Sequence, residues 1–516
     1  MSLETRPVDS VRGMLDLNSQ QAHAHAQVRH SLLAAFQLAG YSPIEVPLVE
    51  QADLYLRKSG AEIISKMYTF EDFGGRRLAL RPELTASIVR YYLSNDQNLP
   101  FPLRYAYSGP VFRYEKPQRG RFRQFSMAGV ELLGSDGPSA DAEVIALACW
   151  TLKRLGVEKY RLVIGHVGIL LELLGSLGLS SRLRHFLLDS MEDVGRPGRG
   201  LDYVRKRLEE IHPAQRTATP SDEMLPRSED EARAALRASL QEMGIELSGS
   251  RPAEAIIGRM FQKQRATDED ERVERAFAFI QGLHNLRGAP GEVLERARAF
   301  LTEYGLGDES LSRLADVMAA LAAYDIDETH VQVQLALGRG LHYYTDVVFE
   351  LYDASGESQL CGGGRYNELV QSLGGRKSIP AVGFAFGLER LRLALEAQGA
   401  PLPTPPQTQV LVAAVSSSAT HASMQAAQWL REHGVRAELD LRQRAVRAQI
   451  SYANRRSVPF LLLVEQVAAK TDSGPVSSTG QAFRRNDGTE TVTLRRLAEG
   501  TEQALSLREV VQVVNG

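Results

Sequence analysis

Cysteine is scarce in this chain: two in 516 residues, Cys149 in an apolar helical run and Cys361 beside glycines. That excludes a disulfide scaffold and a cysteine-rich zinc site, and it suits a reducing cytosol. No apolar run approaches membrane-spanning length, and the opening "MSLETRPVDSVRGMLDL" lacks the apolar core of a signal peptide. A soluble cytoplasmic protein with no membrane partner is therefore expected. Excess charge is lacking too: the net of −3 gives no global pull toward nucleic acid, so any polyanion site must be a local patch. There is no internal repeat, and no strict strand–helix alternation of the kind a dinucleotide fold needs. What remains is ordinary globular composition, 43% hydrophobic and 24% charged, in a chain too long for one core.

The pattern along the chain divides it. Residues 20–40 carry apolar side chains at helical spacing, and "YSPIEVPLVE" follows as an extended segment broken by Pro43 and Pro47. "KMYTFEDFGGRRLALRPE" reads as a hairpin turning at Gly74-Gly75, "TASIVRYYLSN" as a short helix, and "PLRYAYSGPVFRYE" and "RQFSMAGVELLG" as strands. "ADAEVIALACWTLKRLG" is an amphipathic helix with acids near its start. Charged helices interrupted by the polar "HPAQRTATPSDEMLPRSEDE" come next, before strands resume at "HVQVQLALGRGLHYYTDVVFELYD". The turn-rich "CGGGRYNELVQSLGG" and the strand-to-helix unit "AVGFAFGLERLRLALEAQG" complete this part. The proline-rich linker "APLPTPPQTQ" then leads into an alternating α/β module. The expected fold class is α+β: an antiparallel sheet core flanked by helices. Its parts are a first core segment (1–180), a helical insertion (181–325), a second core segment (326–400) and a C-terminal α/β domain (408–516).

The densest chemistry lies in "GPVFRYEKPQRGRFRQFSMAGVELLG", where Arg113, Lys116, Arg119, Arg121 and Arg123 fall within eleven residues. Cations so close together repel unless an anion sits among them. Arginine forks bind phosphate oxygens and stay charged at any cellular pH. Glu115 can accept from an adenine amine, and Phe125 offers a flat face to a base. A solvated basic hairpin is the plainer reading of a lone charge run. In "LRPELTA", Glu83 and Thr85 can hold an ammonium, although Thr85 can equally cap the following helix. Arg339, flanked by glycines in "GRGLHYYTDVVFE", can approach a transferring phosphate, although a lone arginine before a strand is usually just solvated. From Arg431 to Arg456 seven arginines face three acids, a local net of +4, which suits an RNA backbone or a solvated helix equally.

Together these pieces carry a resemblance. "FRYEKPQRGRFRQF" resembles motif 2 of class II aminoacyl-tRNA synthetases, in the form used by histidyl-tRNA synthetases. "GFAFGLERL" resembles motif 3, and the helix leading to "IEVPLVE" resembles the dimer-forming motif 1. "RGLHYY" and "GGGRYNELVQSLGG" resemble the two histidine signatures of that family. The match covers about residues 8–180 and 326–400, and the C-terminal module resembles the family's anticodon-binding domain. The resemblance implies a homodimer that activates histidine with ATP and Mg2+ as histidyl-adenylate and transfers it to tRNA. It implies Arg113 on the ATP α-phosphate, Arg121 in the same ATP-binding loop, Glu115 and Phe125 on adenine, and Arg390 on the γ-phosphate. Glu83, Thr85, Glu131, Tyr344 and Tyr366 would form the histidine pocket, with Arg339 promoting attack by the substrate carboxylate. No metal-ligating residues are assigned.

Three departures fall in or near that pocket. The synthetases usually carry glutamine where Met127 stands and aspartate where His342 stands, and "LVIGHVGIL" differs from their "INSLG"-type segment. Losing glutamine removes a polar partner from a buried ammonium, at a cost on the order of 1–3 kcal/mol. These departures resemble the regulatory subunit of ATP phosphoribosyltransferase, a paralogue that senses histidine and partners that enzyme's catalytic subunit. Such regulators usually lack the anticodon module, which this chain keeps. The motif set favours the ligase, with the sensor and a ligase for another amino acid as alternatives.

Overall fold

Asn18 starts the first long helix, Ser19–Leu38, through a capping box: its side chain accepts from Gln21 N at 2.9 Å, and Gln21 returns a bond to Asn18 N at 3.1 Å. Ala24, Val28, Leu32, Ala35 and Phe36 recur on one face of this helix, and that face is buried. This is a computed structural model, and it describes residues 8–57, 61–116, 120–196, 198–211, 270–338, 343–400, 404–442, 444–465 and 491–516. They fall into two compact units, Met1–Pro403 and Thr404–Gly516, whose boundary lies inside the proline-rich linker.

The first unit has twelve described strands. They are β1 (Ser42–Pro43), β2 (Val49–Gln51), β3 (Tyr68–Glu71), β4 (Arg77–Leu80), β5 (Leu103–Phe112) and β6 (Gln124–Leu133). Then follow β7 (Tyr160–His166), β8 (Arg287–Gly288), β9 (Val331–Gln334), β10 (Val347–Asp353), β11 (Gln359–Arg365) and β12 (Ala381–Gly387). Nine form one sheet in the order β1-β5-β6-β12-β11-β10-β7-β9-β8, antiparallel except at β1/β5 and β7/β9. The expected hairpin is β3/β4, in the small sheet β2-β4-β3. Its turn uses Gly75 at φ +74°, and the Asp72 carboxylate accepts from Gly74 N and Arg76 N at 2.9 Å each.

Strand alternation divides the large sheet into two working faces. Ala128, Val130, Leu132, Phe349, Phe384 and Phe386 lie on one face, in a core with the first helix, helix Pro138–Arg154 and helix Leu388–Ala397. Tyr105, Tyr107, Val348 and Leu133 lie on the other, with Leu84 and, from helix Thr85–Asn95, Ile88 and Val89 packed over them. In the region expected as an insertion, helices Ser181–Gly195, Leu201–Ile211, Pro290–Glu303 and Glu309–Ala322 are described. Phe186, Met191, Val293 and Leu314 from these helices belong to the same core as Ile164 and Phe349 of the sheet. Over its described residues this region shares a core with the sheet and does not enclose one of its own. The polar stretch 212–231 lies outside the described residues.

"CGGGRY" corrects an expectation of turns. Cys361 to Arg365 lie in strand β11, paired on both sides, and its glycines answer a need for close approach. A Cβ on Gly363 would lie 2.3 Å from Gly383 O, and one on Gly364 would lie 2.8 Å from Val347 O. The second unit is a five-stranded sheet in the order β14-β13-β15-β16-β17 (Ala437–Leu439, Val410–Ala414, Phe460–Val464, Thr491–Arg496, Glu502–Ser506). Helices Thr420–Glu432, Val446–Arg455 and Leu507–Asn515 accompany it.

Candidate active site

On β6 the two-residue period sets Phe125, Met127, Gly129 and Glu131 in one row on the helix Thr85–Asn95 side of the sheet. From Phe125 to Glu131 this row runs about 20 Å. The neighbouring positions across the sheet are small. Gly383 stands opposite Glu131, Ala385 opposite Gly129 and Gly387 opposite Met127. Gly364 and Gly362 continue the rows on β11, and the second row reaches Glu350 on β10. The result is a trough whose floor is largely main chain. Gly383 is indispensable to it, because a Cβ there would lie 1.8 Å from Glu131 Oε2.

At one end of the trough the buried carboxylate of Glu131 is held by three hydroxyls. Its Oε1 accepts from Thr85 Oγ1 at 2.7 Å and Tyr107 Oη at 3.0 Å, and its Oε2 accepts from Tyr366 Oη. Burial pushes Glu131 up to about 7 against the pull of those donors, and the nearby Glu83 raises it further. Glu83 is itself buried, and both its oxygens accept from Ala86 N, at 3.0 and 3.3 Å. Burial raises Glu83, while the backbone N–H groups of Ala86 and Thr85 and the charge of Arg113 oppose it. Glu83, not Thr85, thus serves the helix N-terminus, and the Thr85 hydroxyl is directed to Glu131. Tyr343 closes this end, its ring 4.8 Å from that of Tyr344 and 5.6 Å from that of Tyr366. Met127 packs against the cluster that contains Tyr107, Tyr344 and Tyr366. Two buried carboxylates among hydroxyls and rings form a site that gains from a bound cation with hydrogen-bond donors.

The other end is built of arginines. Arg113 donates from Nε to Pro82 O at 2.8 Å, and its guanidinium lies 5.4 Å from the centre of the Phe125 ring. Pro82 precedes Glu83, so this bond fastens the two ends together. Glu115 pairs with Lys66 Nζ at 3.3 Å and with Arg121 Nη1 at 3.9 Å. Arg123 stacks 3.9 Å over Tyr114 and donates to Glu115 O at 3.2 Å. Arg390, first residue after Glu389 in the motif 3 helix, donates to Gly120 O at 3.2 Å and to Gln359 O at 2.8 Å. Burial and the neighbouring Arg121 lower its pKa, and Glu115 raises it. Arg339 and His342 lie outside the described residues, as does Arg119 of the basic loop.

Several residues of this site escaped sequence reasoning. Tyr107 was visible only as part of an alternating strand, yet it reaches Glu131. Arg81 is buried and ties three segments together through Val46 O (2.7 Å), Pro47 O (3.2 Å) and Pro110 O (2.8 Å). Its signal was an arginine in the apolar run "RLALRPE". Glu350 is buried in the trough wall, accepting from Gln359 Nε2 at 2.7 Å and Tyr352 Oη at 2.5 Å. In the second unit, four of the seven arginines are engaged within the chain: Arg431 with Ala437 O, Arg436 with Gln407 O, Arg444 with Asp440 and Arg456 with Glu438. Arg442, Arg447 and Arg455 are exposed.

Comparison with known proteins adds to this geometry. The family model described as Histidyl-tRNA synthetase matches residues 13–198 and 259–391, and the Anticodon binding domain model matches residues 409–516. The histidine--tRNA ligase of Thermococcus kodakarensis is 32% identical over 461 residues, 89% of this chain and 91% of that one. That of Anoxybacillus flavithermus is 32% identical over 464 residues, covering 88% and 90%. Among solved structures, apo S. aureus histidyl-tRNA synthetase superposes with a TM-score of 0.60 at 24% identity, over 99% of this chain and all of that one. A Bacillus halodurans protein titled ATP phosphoribosyltransferase regulatory subunit/histidyl-tRNA synthetase also gives 0.60, at 22% identity, over 90% of this chain and all of that one. These two share the fold.

Proposed function

The chain belongs to the histidyl-tRNA synthetase family, and from that premise we propose that it is a histidine--tRNA ligase working through the trough described above. The observation that carries the site assignment is the single row of β6, with arginines about Phe125 at one end and a hydroxyl-held carboxylate, Glu131, at the other. ATP lies at the arginine end. Arg113 holds the α-phosphate, Arg121 and Arg390 the outer phosphates, and Phe125 stacks on the adenine while Glu115 accepts from its amine. Histidine lies at the carboxylate end. Glu83 and Thr85 receive its ammonium, and Glu131, Tyr344 and Tyr366 enclose the imidazole, with Met127 lining the junction.

The first step is in-line attack by the histidine carboxylate on the α-phosphorus. A phosphorus–oxygen bond forms to the carboxylate as the bond to pyrophosphate breaks, giving histidyl-adenylate. Such a step needs alignment and fixed positive charge, not a covalent nucleophile. Arg113 supplies both, because its bond to Pro82 O fixes the guanidinium before the nucleotide arrives. In the second step a terminal ribose hydroxyl of tRNA attacks the acyl carbon and AMP leaves.

Among the described residues no group of three or more His, Cys, Asp or Glu is placed to hold a metal. In this reading magnesium arrives on the triphosphate, and Glu350 is a protein carboxylate available to it. Magnesium there would offset phosphate charge. The C-terminal unit provides the tRNA contact, for which Arg442, Arg447 and Arg455 are available at its surface. The dimer and the cytoplasmic location belong to this same reading; among the described residues no helix is long and apolar enough to cross a membrane.

The sensor alternative has less behind it, since relatives named as ligases span 88–89% of this chain and the anticodon-binding model matches residues 409–516. ATP–pyrophosphate exchange with each amino acid in turn is the test. Exchange with histidine alone is expected. Histidine binding without exchange would return the protein to the sensor class, and exchange with another amino acid would reassign the pocket.

A further inference from the structure

Behind the amino-acid end of the trough lies a chain of charges that the proposed chemistry does not use. Arg313, on helix Glu309–Ala322, meets three carboxylates: Asp346 Oδ2 from Nε at 2.7 Å, and Asp136 Oδ1 and Asp141 Oδ2 from Nη2 at 3.0 and 3.4 Å. Asp346 also meets His166 Nε2 through Oδ1 at 2.5 Å and accepts from Val347 N at 2.9 Å. Asp141 in turn is bound by Nε of the fully buried Arg365 at 2.7 Å. Arg365 continues to Ser135 O at 3.0 Å and Asn367 Oδ1 at 3.3 Å. The His166 and Arg313 Nε contacts to Asp346 are short but poorly angled for hydrogen bonds. Burial raises the Asp346 carboxyl, but His166 and Arg313 outweigh it and hold the group below the usual carboxylate range.

The two backbone segments that end in this chain are those that carry the pocket tyrosines. Asp346 lies two residues after Tyr344, and Arg365 directly precedes Tyr366. They are also joined to each other: Thr345 N donates to Arg365 O at 2.9 Å, and Asn367 N to Thr345 Oγ1 at 3.1 Å. Tyr366 then reaches Glu131 itself. Nothing in the sheet's own hydrogen bonding requires Arg313. It comes from a helix of the region whose role the sequence left blank, and it spans the anchors of both segments.

We propose that Arg313 is a positioning residue for the amino-acid pocket: from helix Glu309–Ala322 it fixes, through Asp346 and through Asp141 with Arg365, the segments that present Tyr344 and Tyr366. Without it, Asp346 keeps only His166 in side-chain contact and the charge of Arg365 nearby, and the buried Asp141 keeps only Arg365, so both carboxylates are left short of compensation. The segments then shift or loosen, and the tyrosines with them. The nucleotide end, anchored by Pro82 O and Gly120 O, is unaffected.

The inference rests on the ligand reading of the pocket, and the test separates the two. Histidine affinity is measured by calorimetry without ATP, alongside exchange kinetics, for the full chain and for Arg313→Gln, Arg313→Lys and Asp136→Asn. Arg313→Gln is expected to weaken histidine binding tenfold or more and to raise KM for histidine by the same factor, with KM for ATP changed less than twofold. Arg313→Lys restores part of the loss, because it returns the charge without the fork. Asp136→Asn, at a half-exposed carboxylate, shifts histidine affinity in the same direction by a few-fold and keeps the trial decisive if Arg313→Gln fails to fold. Equal rises in both KM values, or histidine affinity unchanged in the folded variants, would overturn the proposal. A parent chain that binds histidine but shows no exchange would sink the ligase reading alone.

Discussion

The two ends of the trough are made by opposite means. At the arginine end side chains stay partly exposed, and several of their contacts go to main-chain oxygens: Pro82, Glu115, Gly120 and Gln359. At the carboxylate end Glu83, Glu131, Tyr107, Tyr343 and Tyr366 are buried and closely interlocked. The difference follows from the ligands each end would serve. A triphosphate brings several charges and its own metal, and partly solvated cations suffice for it. A zwitterion with a neutral ring brings little charge to a dry site, so its recognition depends on groups already desolvated and fixed.

That contrast can be broken most forcefully at Arg113. Arg113→Ala should reduce exchange by about a thousandfold, as loss of a preorganised charge stabiliser does, while histidine binding measured by calorimetry stays within a few-fold. Equal damage to both would mean that the ends are not separable.

A second expectation concerns pH. Glu131 is raised to about 7 in the folded chain, above the ordinary glutamate value near 4.5. Its contribution to stability is therefore fully present below that ordinary value and is lost as pH rises through 7. The loss is on the order of 3 kcal/mol. Chemical denaturation across this window should show the decline in the parent chain, and Glu131→Gln should flatten it. An unchanged slope in the variant would assign the decline to another group.

Gly383→Ala comes next. The added methyl collides with Glu131 Oε2, and the repacking should cost about 1–3 kcal/mol. It should lower the melting temperature and histidine affinity together and spare nucleotide affinity. Smallest is Glu115→Gln, which keeps shape and removes a charge paired with Lys66 and Arg121. A rise in KM for ATP of less than tenfold is expected from so partly exposed a pair, with KM for histidine unmoved.

The arginine end was the more legible in the sequence. Five cations in eleven residues are conspicuous wherever they fold, and the strands around them alternate clearly enough to place Phe125 and Glu131 on one face. At the carboxylate end Glu83 and Thr85 could be read from the residues themselves, but Glu131, Tyr344 and Tyr366 only through resemblance to a family. Tyr107 and Arg81 lie in ordinary strand runs, and nothing local says that they reach Glu131 or three carbonyls. The "GGG" run suggested turns, because a short glycine series looks the same whether it bends the chain or lets strands and rings approach. The charge chain through Arg313 joins residues from four elements and the segments between them, separated by up to 230 positions, as in the bond from Arg365 to Ser135. Only the folded topology brings them together.

The glycine floor limits how this pocket can be redesigned. Its depth is set by the spacing and twist of β6, β12 and β11, not by any side chain that could be shortened. A bulkier amino acid can hardly be admitted by digging down, since beyond the Ala385 methyl little of the floor is side chain to remove. New specificity has to come from the walls, at Tyr107, Met127, Tyr344 and Tyr366, and each of the three tyrosines is tied to its neighbours. Met127 is the one wall position without a polar function to replace, so variation in substrate choice among related chains should concentrate there.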